Sequence, residues 1–132
     1  MLAALSVIVA AGALAGAAPK GVVIEQTTVH AVRSMVGVVH RLCADAKVKL
    51  EDLKLLIPHQ ANLRIIEAVG KSLGLPSEKV FVNIQKYANT SSATTIIALD
   101  EARRAGLVKA GDLVILVAFG AGLTWGGVLI RW

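Results

Sequence analysis

Leu56-Ile57-Pro58-His59-Gln60-Ala61-Asn62-Leu63-Arg64 opens a stretch that closes, after a second apolar run, on Asn89-Thr90-Ser91-Ser92-Ala93. In each half an apolar, strand-like segment hands one polar residue, His59 or Asn89, to the start of a helix-like segment. A parallel α/β sheet keeps its chemistry there, in the crevice beyond the carboxyl ends of its strands. A helix start also carries unpaired N–H groups and about half a positive charge. Two such ends converging with an imidazole and an amide would form a pocket for developing negative charge.

Outward from this stretch the chain alternates strand and helix. Leu50-Glu51-Asp52-Leu53 reads as a turn into a buried strand at Leu55-Leu56-Ile57, which Pro58 ends. Leu63, Ile66, Val69 and Leu73 recur at helical spacing, with Gly74 and Pro76 as stop signals and Glu67 and Lys71 on the exposed face. Val80-Phe81-Val82 predicts a second short strand. Its exit loop brings a Ser/Thr cap to a helix through Ile96, Ile97 and Ala102 to Gly106. The unbroken apolar run at residues 113–119 suits a central strand covered on both faces. Gly120-Ala121-Gly122 then turns the chain into a last strand from Trp125 to Trp132.

Upstream, residues 21–28 read as a short strand, and a helix with Val29, Val32, Val36, Val39 and Cys43 on its apolar stripe follows. Residues 1–18 carry no charge. They read as a strand and small-residue helix of an α/β core, with a leader or membrane segment as the alternative. The expected class is therefore α/β: a mixed sheet with flanking helices, strand–helix alternation and a closing β-hairpin. Residues 1–28 form an N-terminal apolar segment, and residues 29–132 the main domain.

The totals narrow the function. The 55% hydrophobic content is largely aliphatic, and 14 basic residues against 9 acidic give a net charge of +5. Those cations form no stripe and have no aromatic platforms between them, which argues against nucleic acid and fits an acidic protein partner. One cysteine excludes an internal disulfide and a cysteine-rich metal site, so a reducing compartment is permitted. Histidines at 30, 40 and 59 lack a metal-ligand spacing, and no phosphate loop or nicotinamide fingerprint is present.

PHQANLRI, then NTSSAT, then the terminal FGAGLTWGGVLIRW resemble, in order and spacing, the C-terminal half of the 3-oxoacyl-[acyl-carrier-protein] synthase III family from about Val29 to Trp132. The resemblance implies a thiolase-like half-fold and a condensing enzyme that starts fatty-acid chains. In that reaction malonyl-carrier protein loses carbon dioxide and condenses with an acyl primer delivered by acyl-coenzyme A, with no further cofactor. It implies acyl carrier protein and acyl-coenzyme A as partners, a homodimer or pairing with a chain bearing the other half, and a cytoplasmic or plastid-stroma location.

By itself His59 would be read as structural. Its place between a buried strand and a helix start favours a neutral ring donating to an anion. Asn89 by itself would be a turn or cap residue. Matched to the family's motifs, the two resemble its His/Asn pair, which polarises the malonyl thioester carbonyl. Phe119, Gly120 and Ala121 resemble the turn that borders the acyl pocket and lends an N–H to the oxyanion hole, against the plainer reading of a glycine hairpin. Asn62 resembles the contact to the pantetheine arm. Arg64 and Lys71 resemble the carrier-protein docking surface, against a merely solvated face. The family's nucleophilic cysteine has no equivalent here, because Cys43 sits on an apolar stripe away from any helix start and reads as a small buried hydrophobe. Three readings follow: the C-terminal half of a synthase, a non-catalytic carrier-binding module, and a membrane-anchored protein using residues 1–18.

Overall fold

Apolar runs become strands and the 3.6-residue stripes become helices in the order β1 (Ser6–Ala13), α1 (Ile24–Ala46), β2 (Leu53–Pro58), α2 (Leu63–Ser72), α3 (Ile84–Tyr87), α4 (Ala93–Arg104), β3 (Leu113–Gly120) and β4 (Thr124–Arg131). This is a computed structural model describing residues 6–13 and 24–132, with side chains described from residue 28 onward. The strands form one sheet in the order β1-β4-β3-β2. β2 and β3 are parallel, while β4 runs antiparallel to both of its neighbours. The mixed sheet and its closing hairpin are those expected.

β3 lies at the centre of the fold. All five residues from Leu113 to Val117 are buried, because helices cover both faces of the sheet. Ile115 and Val117 pack with Met35, Val39 and Leu42 of α1 and Val69 of α2. Val114 and Leu116 face the other way, onto Ala98 and Ala102 of α4. Burying each of these aliphatic side chains contributes about 1.5–3 kcal/mol. Where α1 crosses the hairpin a glycine is required. A Cβ on Gly127 would lie 2.6 Å from Val38 Cγ1 and 2.9 Å from the Leu116 carbonyl oxygen.

Four local expectations are corrected. Residues 24–28 of the expected strand are the first turns of α1, while residues 21–23 lie outside the described residues. The division drawn between residues 28 and 29 thus falls within a continuous helix. Glu25 and Gln26 favour helix over strand, and α1 as a whole packs along the sheet. The stripe on α1 holds in part: Val39 and Cys43 are buried and Val32 and Val36 pack half-buried against the core, but Val29 is 65% exposed, and Ala31, Met35, Val38 and Leu42 share the buried face. Val38 and Leu42 join it by closing over Gly127 of the hairpin.

The third correction is the strand at residues 80–82, which reduces to a single parallel bridge between Leu56 and Val80. Phe81 N–H donates to the Leu56 carbonyl at 2.9 Å, but Pro58 has no N–H with which to make the next rung. The fourth concerns the start of α4, where Ser92 stands at the N-cap without the expected side-chain cap bond. The helix itself is the one expected, and its buried face is Thr94, Ala98 and Ala102 at four-residue intervals. α2 ends as the sequence predicts: Gly74, at φ 67°, closes it with Leu75 N–H on the Gly70 carbonyl and its own N–H on the Lys71 carbonyl. Among the described residues no helix is long and apolar enough to cross a membrane. Of the uncharged N-terminal run, Ser6–Ala13 is the strand paired with β4, and the remainder lies outside the described residues.

Candidate functional site

The parallel pair β2/β3 sets the site, because its two carboxyl ends lie side by side. Pro58 is registered with Val117, and His59 N–H continues the ladder by donating to the Val117 carbonyl at 2.7 Å. The His59 backbone is thereby fixed at the sheet edge with its ring half-buried. Ring Nδ1 lies 2.5 Å from Oγ1 of Thr94, which is itself 2% exposed on the first turn of α4. Burial holds the ring's pKa below the ordinary histidine range. The expected neutral ring therefore has desolvation as its cause. α2 begins only at Leu63, and its start is capped by the Asn62 side chain, whose Oδ1 accepts from Arg64 N–H at 2.9 Å.

A cavity of about 400 Å³ opens beside the ring. Ser91 and Ser92 form one wall, and the tips of β3 and β4 form the other through Phe119, Gly120, Thr124 and Trp125. Phe119 and Trp125 are cross-strand partners, their rings stacked with centroids 6.3 Å apart and planes 9° apart. His30 of α1 meets both edge-on, at 5.8 and 5.6 Å. Its Nε2 is buried with no hydrogen-bond partner among the described residues. The cavity thus has an apolar aromatic side and a polar side made of an imidazole and serine hydroxyls.

His59, Phe119 and Gly120 are brought together in this one cavity. The Asn89 carboxamide does not line it. Its Oδ1 accepts from Ser91 N–H at 2.9 Å, closing the short polar turn that carries Ser91 and Ser92 to the wall. Ala88, beside it, has φ 56° and ψ −162°, a conformation that side chains other than glycine rarely adopt. Ala121 is exposed in the hairpin turn, where its carbonyl accepts from Thr124 Oγ1 at 3.1 Å. Arg64 and Lys71 are exposed on α2, and among the described residues neither enters an ion pair. Cys43 is buried in the α1 core and outside the cavity wall, and burial pushes its thiol pKa up.

Sequence reasoning missed Thr94 and Trp125. Thr94 was within reach, since it precedes Ala98 and Ala102 by whole four-residue steps. Trp125 follows from counting back across the hairpin from Phe119.

A family model described as 3-oxoacyl-[acyl-carrier-protein] synthase III C terminal matches residues 43–132. A relative from Desulfotalea psychrophila, named beta-ketoacyl-[acyl-carrier-protein] synthase III, is 57% identical over 78% of this chain and 32% of its own length. One of the same name from Aquifex aeolicus is 57% identical over 77% of this chain and 33% of its own. This chain thus spans about a third of the length of the curated relatives it matches. The crystal structure of a 3-oxoacyl-[acyl-carrier-protein] synthase III from Aquifex aeolicus superposes with a TM-score of 0.80 at 45% identity, covering 98% of this chain and 44% of that one. A synthase III structure from Thermus thermophilus gives 0.83 at 38% identity, covering 96% and 45%.

Proposed function

This chain belongs to the 3-oxoacyl-[acyl-carrier-protein] synthase III family, matching its C-terminal part, and we propose that it supplies the decarboxylation half of a fatty-acid condensing site. The single observation that carries the reading is the half-buried His59 ring at the β2/β3 edge, held through Nδ1 by Thr94 and facing a cavity walled by Phe119 and Trp125. With the Thr94 hydroxyl donating to Nδ1, the neutral ring keeps its proton on Nε2 and aims a donor at the cavity. Asn89, whose carboxamide lies outside the cavity wall with Oδ1 held by Ser91 N–H, is the second donor proposed, and its Nδ2 would turn toward the cavity when the thioester binds.

In this proposal a malonyl thioester of carrier protein or coenzyme A sets its carbonyl oxygen against both donors. The bond to the carboxylate breaks, carbon dioxide leaves, and the electron pair moves through the methylene carbon onto that oxygen as an enolate. Neutral donors suit this step, because the charge develops only in the transition state. The enolate carbon then attacks an acyl thioester, expelling thiolate, with no resident cofactor in either step. Cys43, the one cysteine in the sequence, is buried with a raised pKa and is not the acyl carrier proposed; that thiolate comes from beyond this sequence.

The test is release of carbon dioxide from malonyl-coenzyme A by the purified chain. Loss of one oxyanion donor costs about 10²–10³ in rate, so His59→Ala should fall by that factor and Asn89→Ala by a comparable one. Equal rates in all three proteins would overturn the reading, and so would a stable acyl thioester on Cys43 after incubation with labelled acetyl-coenzyme A. A second reading, a non-catalytic module that binds acidic carrier protein through α2, is favoured by the exposed cations Arg64 and Lys71, neither of which enters an ion pair among the described residues. It predicts carrier-protein binding that weakens with salt and on Arg64→Glu, without turnover.

A further inference from the structure

We infer that Gln60 is a positioning residue, a buried amide that sets the spacing between the His59 arm and the loop carrying Asn89; this rests on the proposed pairing of those two donors. The Gln60 side chain is 1% exposed, and both of its polar atoms are hydrogen-bonded. Nε2 donates to the Pro58 carbonyl at 2.7 Å and to the Phe81 carbonyl at 3.2 Å, and Oε1 accepts from Asn83 N–H at 2.9 Å. Its bond to Phe81 replaces a missing rung. Phe81 N–H already reaches the Leu56 carbonyl, and a parallel ladder would next run from residue 58, which is proline. A side chain one residue past His59 therefore does what the backbone cannot.

The connection continues to α4. Asn83, 4% exposed, donates through Nδ2 to Glu101 Oε2 at 2.8 Å, while Lys86 holds the other carboxylate oxygen at 2.7 Å. Glu101 lies two helical turns beyond Thr94, the residue bonded to the His59 ring. The hydrogen bonds therefore close a circuit from His59 through Gln60, Asn83, Glu101 and α4 back to His59. Asn83 stands immediately before α3, whose end is the strained Ala88 next to Asn89. With Gln60 cut out, the segment from residue 83 to the cavity wall would be joined to β2 by the Leu56–Phe81 bond alone among these links.

Gln60→Met keeps the length and removes every polar atom; Gln60→Glu keeps the acceptor for Asn83 N–H. Amide exchange of the folded full chain reads positioning directly, and malonyl-coenzyme A decarboxylation reads its consequence. Gln60→Met should speed exchange at Asn83 and at the hydrogen-bonded amides of Ala88 and Ser91 by roughly tenfold relative to the α1 core amides around Leu42. It should also lower kcat by roughly tenfold with KM within about twofold, as a misplaced donor does. Gln60→Glu should restore protection at Asn83 as its buried carboxyl takes up a proton, because only the protonated acid keeps a donor for the Pro58 and Phe81 carbonyls. Should Gln60→Met not fold, Asn83→Ala opens the same circuit at its next link and should reproduce the local exchange pattern. Exchange that rises uniformly along the chain, or stays unchanged at Ala88 and Ser91, would reduce Gln60 to an ordinary stabilising residue and overturn the inference. A wild-type chain without decarboxylase activity would count against the proposed function only, because the exchange comparison still decides the role of Gln60.

Discussion

Replacing Thr94 by valine tests the site most directly, because it keeps the side chain's shape and removes one hydroxyl. Thr94 is 2% exposed and its Oγ1 sits 2.5 Å from His59 Nδ1, so in Thr94→Val a methyl takes the hydroxyl's place against the ring nitrogen. A buried polar partner left unsatisfied costs about 1–3 kcal/mol. If about 1.4 kcal/mol of that is what holds the proton on Nε2, the correct tautomer loses tenfold in preference. Thr94→Val should therefore slow malonyl decarboxylation by about tenfold, well short of the 10²–10³ expected for removing an oxyanion donor outright. Unfolding stability should fall by about 1–2 kcal/mol, since the methyl that replaces the hydroxyl returns part of the loss as apolar burial. The ¹⁵N shifts of the His59 ring distinguish its tautomers in the folded protein and require no activity. Thr94→Ser retains the hydroxyl and should hold the wild-type tautomer. The reasoning fails if Thr94→Val leaves both ring nitrogens and the rate as they were, or if Thr94→Ser is as damaged as Thr94→Val.

Other outcomes follow from packing, backbone strain and titration. Gly127→Ala pushes a methyl against a carbonyl oxygen of β3 as well as Val38, so it should lower stability by about 1–3 kcal/mol in urea unfolding. Gly70→Ala meets only the Val80 side chain and should cost less. Ala88→Gly should instead raise stability by about 1–3 kcal/mol, because it relieves a conformation at φ 56° and ψ −162° that only glycine adopts freely. Burial keeps the His59 pKa below its unfolded value, so across the interval between those two values the unfolded chain holds a proton that the folded chain lacks. Stability should therefore decline as pH falls through about 6.5 and level off below the folded pKa. The urea midpoint of His59→Gln should lack this component of the decline.

Much of the fold can be read along the chain. The unbroken run that becomes β3 announces burial on both faces, and Gly74 and Gly106 mark where α2 and α4 stop. The glycine turn and the run to Trp132 announce the hairpin. Where the reading failed, two local patterns competed and neither carried the deciding information. On α1 the expected valines and their neighbours are alike apolar, and only packing against the hairpin buries Val38 and Leu42 while Val29 stays exposed. At residues 80–82 the side chains suited a strand, and the obstacle was a proline on the neighbouring segment.

The candidate site divides along the same line. The order of elements follows from the sequence alone, because hydrophobic spacing and turn residues act over a few neighbouring positions. So does the delivery of His59 to the carboxyl end of a buried strand. Tertiary structure alone decided what holds that ring and its neighbours: Thr94 on its Nδ1, and Gln60 bridging two segments in place of a proline's missing N–H. Those contacts join residues tens of positions apart, and hydrogen-bond direction, burial and desolvation exist only once the helices and strands have met.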